Sequence, residues 1–269
     1  MITRLRAIAR DTLDILDAGR YINGRGETVH LADPVRAAVA GTRLHLPDDP
    51  LPTPPVDGAG PAVEVTGEST LLAARRLAAD GDVAALVFAS AKNPGGGFRT
   101  GAQAQEESIA RASALFPCLM SVPEFYSFHR EQRDLLYSNR IIHSPRVPVF
   151  RDDKGRLLDD FHEVSFLTAA APNRGAVLRN QPADTDEVGP VLRIRARGDA
   201  ESSATTRRRW RRRSRSPSAT RRAGSTRSPS PCSTGPTGRC ARRSPPASIW
   251  PDRWAPSGDG PRTDPADRR

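Results

Sequence analysis

Aliphatic side chains run out at one point in this chain, and that point limits how much of it can fold. From Gly198 to Arg269 the only Leu, Ile, Val, Met or Phe is Ile249, although three Trp and several Ala occur there. Burying apolar surface gains about 25 cal/mol per Å², whereas ordering a residue costs roughly 1–2 kcal/mol. A stretch this poor in aliphatics cannot offset that cost, so 198–269 is expected to be a disordered tail rich in Arg, Ser and Pro. Charge divides at the same place. Of 41 basic residues 17 lie after Arg197, against 6 of 31 acidic ones, so the tail carries +11 and residues 1–197 net −1. The basic character belongs to the tail alone.

Residues 1–197 must therefore hold the fold. The three cysteines, Cys118, Cys232 and Cys240, have no CxxC spacing, so neither a disulfide framework nor a zinc site is readable. No His/Asp/Cys cluster has ligand spacing, and neither metal nor cofactor is expected. A reduced, cytoplasmic setting follows. The opening "MITRLRAIARDTLDIL" lacks an uninterrupted apolar run, and Asp11 and Asp14 argue against a transit peptide. No stretch approaches the roughly 20 apolar residues of a membrane span, so no membrane partner is expected.

Ile2, Leu5, Ala9, Leu13 and Leu16 fall at helical spacing before Gly19, which predicts a helix over about 2–18. A Pro-rich connector follows at 46–61. Then come "AVEVTG", extended; "STLLAARRLAAD", helical with Ser69 as its cap; and "DVAALVFAS", a strand. This is the βαβ rhythm of an α/β fold, a sheet covered by helices. The apolar run Val83 to Ala89 suits a central strand buried on both faces. Three further strand candidates are "RIIHS", "VPVF" and "EVSFLTAAA".

The chain leaves Ala89 for Asn93 and three glycines in a row, "NPGGGFRTGAQAQEES". Ligands in open α/β sheets sit beyond the carboxyl ends of the strands, which is where this loop lies. Glycines let the backbone take positive φ and let its N–H groups approach a ligand, although a mobile turn would use them too. In the helix that follows, Ile109, Ala112 or Ser113, Phe116 and Met120 define the core-facing side. Glu106 shares that inward side, where a carboxylate is costly unless hydrogen-bonded. Glu107 is turned by about 100° towards the mouth of the glycine loop. Favour from the helix dipole in the first turn accounts for Glu107 better than for Glu106.

Gly95-Gly96-Gly97 followed after seven residues by Gln105-Glu106-Glu107 resembles the signature of the poly(ADP-ribose) glycohydrolases. "AGRYINGRGETVHL", "ASAKNPGGGFRTGAQAQEESIARASALFPCL", "SPRVPVFRD" and "AAAPNRG" resemble the microbial type, in its order, over roughly residues 2–197. The resemblance implies a macrodomain-like mixed sheet between helices with an N-terminal helical extension. It implies hydrolysis of the ribose–ribose bond of poly(ADP-ribose), or action on ADP-ribosylated protein, releasing ADP-ribose. Glu107 then matches the general acid, which protonates the ribosyl oxygen leaving the anomeric carbon. Glu106, its catalytic companion, and Asn93 match residues holding the ribose hydroxyls. Gly95, Gly96 and Gly97 match the loop around ribose and diphosphate, and Gln105 completes the substrate-binding set. In relatives the N-terminal segment favours cleavage from the chain end. A general acid near pH 7 needs a raised pKa, so Glu107 must be desolvated or placed beside the anionic substrate.

His143 and His162, beside strand candidates, read as structural; Phe98 reads equally as a substrate contact or a loop anchor; Cys118 reads as core. The domain plan is 1–61 extension and connector, 62–197 an incomplete macrodomain-like core, and 198–269 tail. Where the family continues with further strands and a second glycine loop, this chain has "GDAESSATTRRRWRRRSRSPSATRRAG". Two other readings stand beside hydrolysis. One is a macrodomain that binds ADP-ribose without cleaving it; the other is single-stranded RNA binding through "RRRWRRRSRS", the only nucleic-acid partner considered. A frameshift near residue 198 accounts for the change of text, and reading the locus again checks it. The alternative frame is expected to encode a strand, glycine loop, helix and strand; a frame without them overturns the idea.

Overall fold

A computed structural model describes residues 1–50 and 62–192. Residues 51–61 of the connector, Cys232, Cys240, the tail, the stretch considered for RNA binding and the position expected for a frameshift lie outside the described residues.

The first helix, α1, spans Ile2–Ala18 and ends at Gly19 in the left-handed conformation, φ 65°. A Cβ there would meet the Ala32 Cβ at 2.9 Å, so glycine is needed for both shape and space. The buried positions are Ala9, Thr12, Ile15 and Leu16, while Ile2 is exposed. Periodicity alone missed Thr12. Its hydroxyl donates to the Arg111 carbonyl at 2.7 Å and accepts from Arg151 Nε at 3.0 Å, which makes its burial tolerable. A short antiparallel hairpin follows, β1 (Arg20–Ile22) and β2 (Thr28–His30), then α2 (Ala32–Gly41) and β3 (Arg43–His45).

Helix α3 (Thr70–Ala78) begins as its sequence predicts, with Ser69 Oγ accepting from Leu72 N at 3.1 Å. It leads to β4 (Ala84–Ala89). After the glycine loop and a 3-10 turn at Phe98–Thr100 come α4 (Gln105–Ala112), α5 (Leu115–Met120), α6 (Pro123–Glu131), β5 (Ile141–Arg151), β6 (Leu157–Ala170) and α7 (Arg174–Asn180). The main sheet has the order β3-β5-β6-β4, with β4 parallel to β6 and the other pairs antiparallel. This is the expected mixed sheet. Its first strand, β3, comes from within residues 1–61. One face packs Val87, Ala89, Ile142, Val164 and Phe166 with Leu16, Val35, Leu115 and Phe125 of the helices.

Four expectations need correction. "AVEVTG" is not a strand; Val63 and Val65 are exposed and no described strand pairs with them. "RIIHS" and "VPVF" are one strand, β5, carried through a bulge between Ser144 and Val147 where Arg146 takes φ 49°. The helix after the glycine loop is two helices. Ser113 is extended and bridges Val149, and Ala114 N donates to the Pro148 carbonyl at 2.9 Å, so contacts remote in sequence break the helix. Finally, β4 is an edge strand among the described residues, and Phe88 is 46% exposed.

Arg151, itself 4% exposed, ties this framework together: it meets Thr12 and Asp11 of α1 and donates to the Gly155 carbonyl at 2.9 Å. Arg151→Leu is expected to lower unfolding stability by about 2–3 kcal/mol through lost charge-assisted hydrogen bonds, read as a reduced urea midpoint with unchanged slope.

Candidate active site

Strand β4 delivers the chain into a loop whose shape is fixed by two left-handed glycines, Gly95 (φ 69°) and Gly96 (φ 57°). Ser90 Oγ accepts from Asn93 N at 3.2 Å and Asn93 O accepts from Gly96 N at 3.0 Å, which turns the chain tightly. Phe98 is 1% exposed and packs on Phe116, ring centroids 5.0 Å apart. Of its two readings, loop anchor is the one the geometry supports. Asn93 stands exposed at the rim.

The first turn of α4 closes against this loop. Glu107 Oε1 accepts from Gly97 N at 2.9 Å, and Glu106 Oε2 accepts from Ser90 N at 2.7 Å. Both residues are buried. A Cβ on Gly96 would lie 2.3 Å from Glu107 Oε1 and 2.9 Å from Glu106 Oε2. Any side chain there would displace the carboxylates. The remaining oxygens, Glu106 Oε1 and Glu107 Oε2, are buried with no hydrogen-bond partner among the described residues. Each carboxylate thus has one oxygen fixed by the backbone and one unspent.

Burial drives the electrostatics. The Glu106 carboxyl is pushed up to about 8, chiefly by desolvation and then by the Glu107 charge, while the N–H groups of Ser90 and Gly95 oppose the rise. Arg111, one turn beyond Glu107, is buried and held by the Ala102 carbonyl at 2.8 Å. Burial lowers its pKa and the Glu107 charge restores part of it. Sequence periodicity did not single out Arg111 or Ser90; a basic residue four after a glutamate in a first turn was the available signal.

Gln105 is brought to the same turn but points elsewhere. Its Oε1 accepts from Phe88 N at 2.8 Å, and its Nε2 donates to the Leu86 carbonyl at 2.9 Å and to Thr70 Oγ1 at 3.0 Å. Its amide is spent on the outer edge of β4, away from the glycine cradle. A cleft of about 770 Å³ opens on that other side of α4, lined among others by Arg4, Ser69, Gln105, Ser108, Arg111 and Asp153. Neither Glu106 nor Glu107 lines it.

His143 and His162 stand on β5 and β6. His143 is held down to about 4 by burial and then by His45, and His162 is lowered for the first of these reasons. Burial pushes the Cys118 thiol up to about 12, which makes it an inert core side chain. Among the described residues no group of three or more His, Cys, Asp or Glu could hold a metal ion, and no helix is long and apolar enough to cross a membrane.

The family description "Microbial-type PARG, catalytic domain" matches residues 9–152. The crystal structure of poly(ADP-ribose) glycohydrolase from Thermomonospora curvata is 49% identical, with a TM-score of 0.69, over 77% of this chain and 76% of that one. The same enzyme bound to the inhibitor ADP-HPD gives 47% identity and a TM-score of 0.67 over the same shares. The enzyme from Deinococcus radiodurans in complex with ADP-ribose is 40% identical, with a TM-score of 0.56, over 63% of this chain and 71% of that one. A search of curated proteins found no match.

A carboxyl raised by folding favours the folded state below its unfolded pKa and loses that contribution as pH rises through the folded one. For Glu106 the window runs from 4.5 to about 8. Glu106→Gln keeps an acceptor for Ser90 N and carries no charge. It is expected to flatten the loss of stability over that window and to be more stable than the parent at pH 8 by about 2 kcal/mol, measured by denaturation at pH 5 and pH 8.

Proposed function

The chain belongs to the microbial-type poly(ADP-ribose) glycohydrolase family, and from that premise we propose that Glu107 is its general acid and Glu106 the group that holds the ribose. The family hydrolyses the ribose–ribose O-glycosidic bond of poly(ADP-ribose) and releases ADP-ribose. The observation that carries the residue assignment is the pose of Glu107: one oxygen on the Gly97 amide, the other buried and unspent, beside a glycine whose missing Cβ leaves room for both.

The chemistry follows from that pose. A sugar seated in the cradle presents its glycosidic oxygen to Glu107 Oε2, which hands over its proton as the bond to the anomeric carbon breaks. Positive charge then develops on the ribose ring, where the two carboxylates stabilise it until a water adds to the anomeric carbon and gives up a proton to Glu107, completing the hydrolysis. Glu106 Oε1 receives the ribose hydroxyls, with Asn93 at the rim as the second holder. The backbone N–H groups of the glycine loop face the diphosphate. Burial keeps a proton in the pair through neutral pH, since Glu106 is held up to about 8.

Gln105 enters this reading as a brace. It holds the first turn of α4 to β4, so that Glu106 and Glu107 stay aimed at the loop. Cleavage from the chain end is supported by the seat of α1, whose Arg6 donates to the Thr100 carbonyl at 2.8 Å and closes off the far end of the glycine loop. A long polymer is then expected to yield ADP-ribose from the first time point without an accumulating ladder of intermediate lengths.

Glu107→Gln tests the assignment. The variant is expected to bind ADP-ribose within about threefold of the parent, while release of ADP-ribose from the polymer falls by about 100-fold or more. A variant as active as the parent overturns it. The assay is run beside a chain with the reading frame restored after residue 197.

A further inference from the structure

Helix α6 supplies a hydroxyl that this assignment does not use. Tyr126 is 1% exposed, and its Oη has no hydrogen-bond partner among the described residues. A buried phenol without an acceptor is costly, so its place calls for a physical reason.

Three observations aim it. Arg130, one turn along the same face of α6, donates to the Lys92 carbonyl at 2.7 Å, so that face lies against the segment Ser90–Lys92. Glu106 holds the beginning of that same segment through Ser90 N. Burial holds the Tyr126 phenol well above its ordinary value, with the Glu106 charge adding to the rise and Arg130 opposing it. Glu106 Oε1, like Glu107 Oε2, is enclosed and unspent among the described residues, and Glu106 is the one tied to this segment. An unused donor and an unused acceptor therefore both belong to the region around the segment Ser90–Lys92.

We propose that Tyr126 is a positioning residue: its O–H donates, through one bridging water, to Oε1 of Glu106 and fixes that carboxylate in the orientation that receives the ribose hydroxyls. The proposal deepens the reading of Glu106 as ribose holder and rests on it for its role in catalysis. Ordered water is the usual partner of enclosed polar atoms, and a carboxylate oxygen has two lone pairs, so Oε1 accepts from the water and from a sugar hydroxyl together. The groups around Glu106 are Glu107 on its own helix, with Arg111 beyond it, the N–H groups of Ser90 and Gly95 in the loop, and Tyr126 backed by Arg130 on α6.

Tyr126→Phe removes one oxygen and keeps the ring. The full chain and this variant are compared by thermal melting, by carbon-13 NMR titration of the glutamate carboxyls, with Glu106→Gln identifying the signal, and by calorimetric titration with ADP-ribose. The fold is expected to be kept. The Glu106 midpoint rises by about half to one pH unit, because a donor to the charged form is gone, and ADP-ribose binds about 5–10-fold more weakly. An unmoved Glu106 midpoint in a folded variant overturns the proposal whether or not the chain turns over polymer. Loss of folding assigns the hydroxyl to packing and overturns it as well. A shifted midpoint in chains that do not bind ADP-ribose leaves the positioning contact standing and removes the ribose-holding reading instead.

Discussion

Two carboxylates lie buried against a backbone that has no side chain to keep them out, and the rest of the site depends on that approach. An ionisable group pays heavily for leaving water, and amide N–H groups from Ser90 and Gly97 return part of the cost. They can reach only because Gly95 and Gly96 turn with positive φ and carry no Cβ. The same constraint sets which carboxylate oxygens stay unspent. Chemistry and local fold share one cause here.

The framework behind the loop is built to keep α4 still. Its last turn is tied through the Arg111 carbonyl to Thr12 of α1, and Thr12 is tied in turn to Arg151 of β5. Its end is pinned by the bridge from Ser113 to Val149, again on β5. The extension is therefore part of the scaffold that aims the carboxylates. It also seats the far end of the glycine loop through Arg6.

Much of this was legible in the chain. The period of α1, the cap at Ser69, the strand at Ala84–Ala89 and the inward Glu106 all follow from local pattern. The glycine run and Gln-Glu-Glu triplet identified the family. What stayed hidden was set by partners remote in sequence. No local signal breaks the helix at Ser113, because its competitor is Val149 of β5, far along the chain. The three-residue strands β1, β2 and β3 are too short for a period to show. Tyr126 looks like one more aromatic in "EFYSF"; only its orphaned hydroxyl in three dimensions separates it from its neighbours. Gln105, grouped with the substrate set by its place in the triplet, turns to the sheet because two outward-facing backbone groups of β4 are within its reach.

That turn of Gln105 links two properties that are usually independent. Its amide stands in for a neighbouring strand along the rim of the sheet, while the next two residues of the same helical turn carry the acids. A polypeptide that zips onto that rim must first evict the amide, and the lever arm it pulls is the one that sets the carboxylates. Pairing of another strand along β4, an edge among the described residues, and the present seat of Glu106 and Glu107 therefore exclude each other, so the bonds that seat the carboxylates also cover that edge.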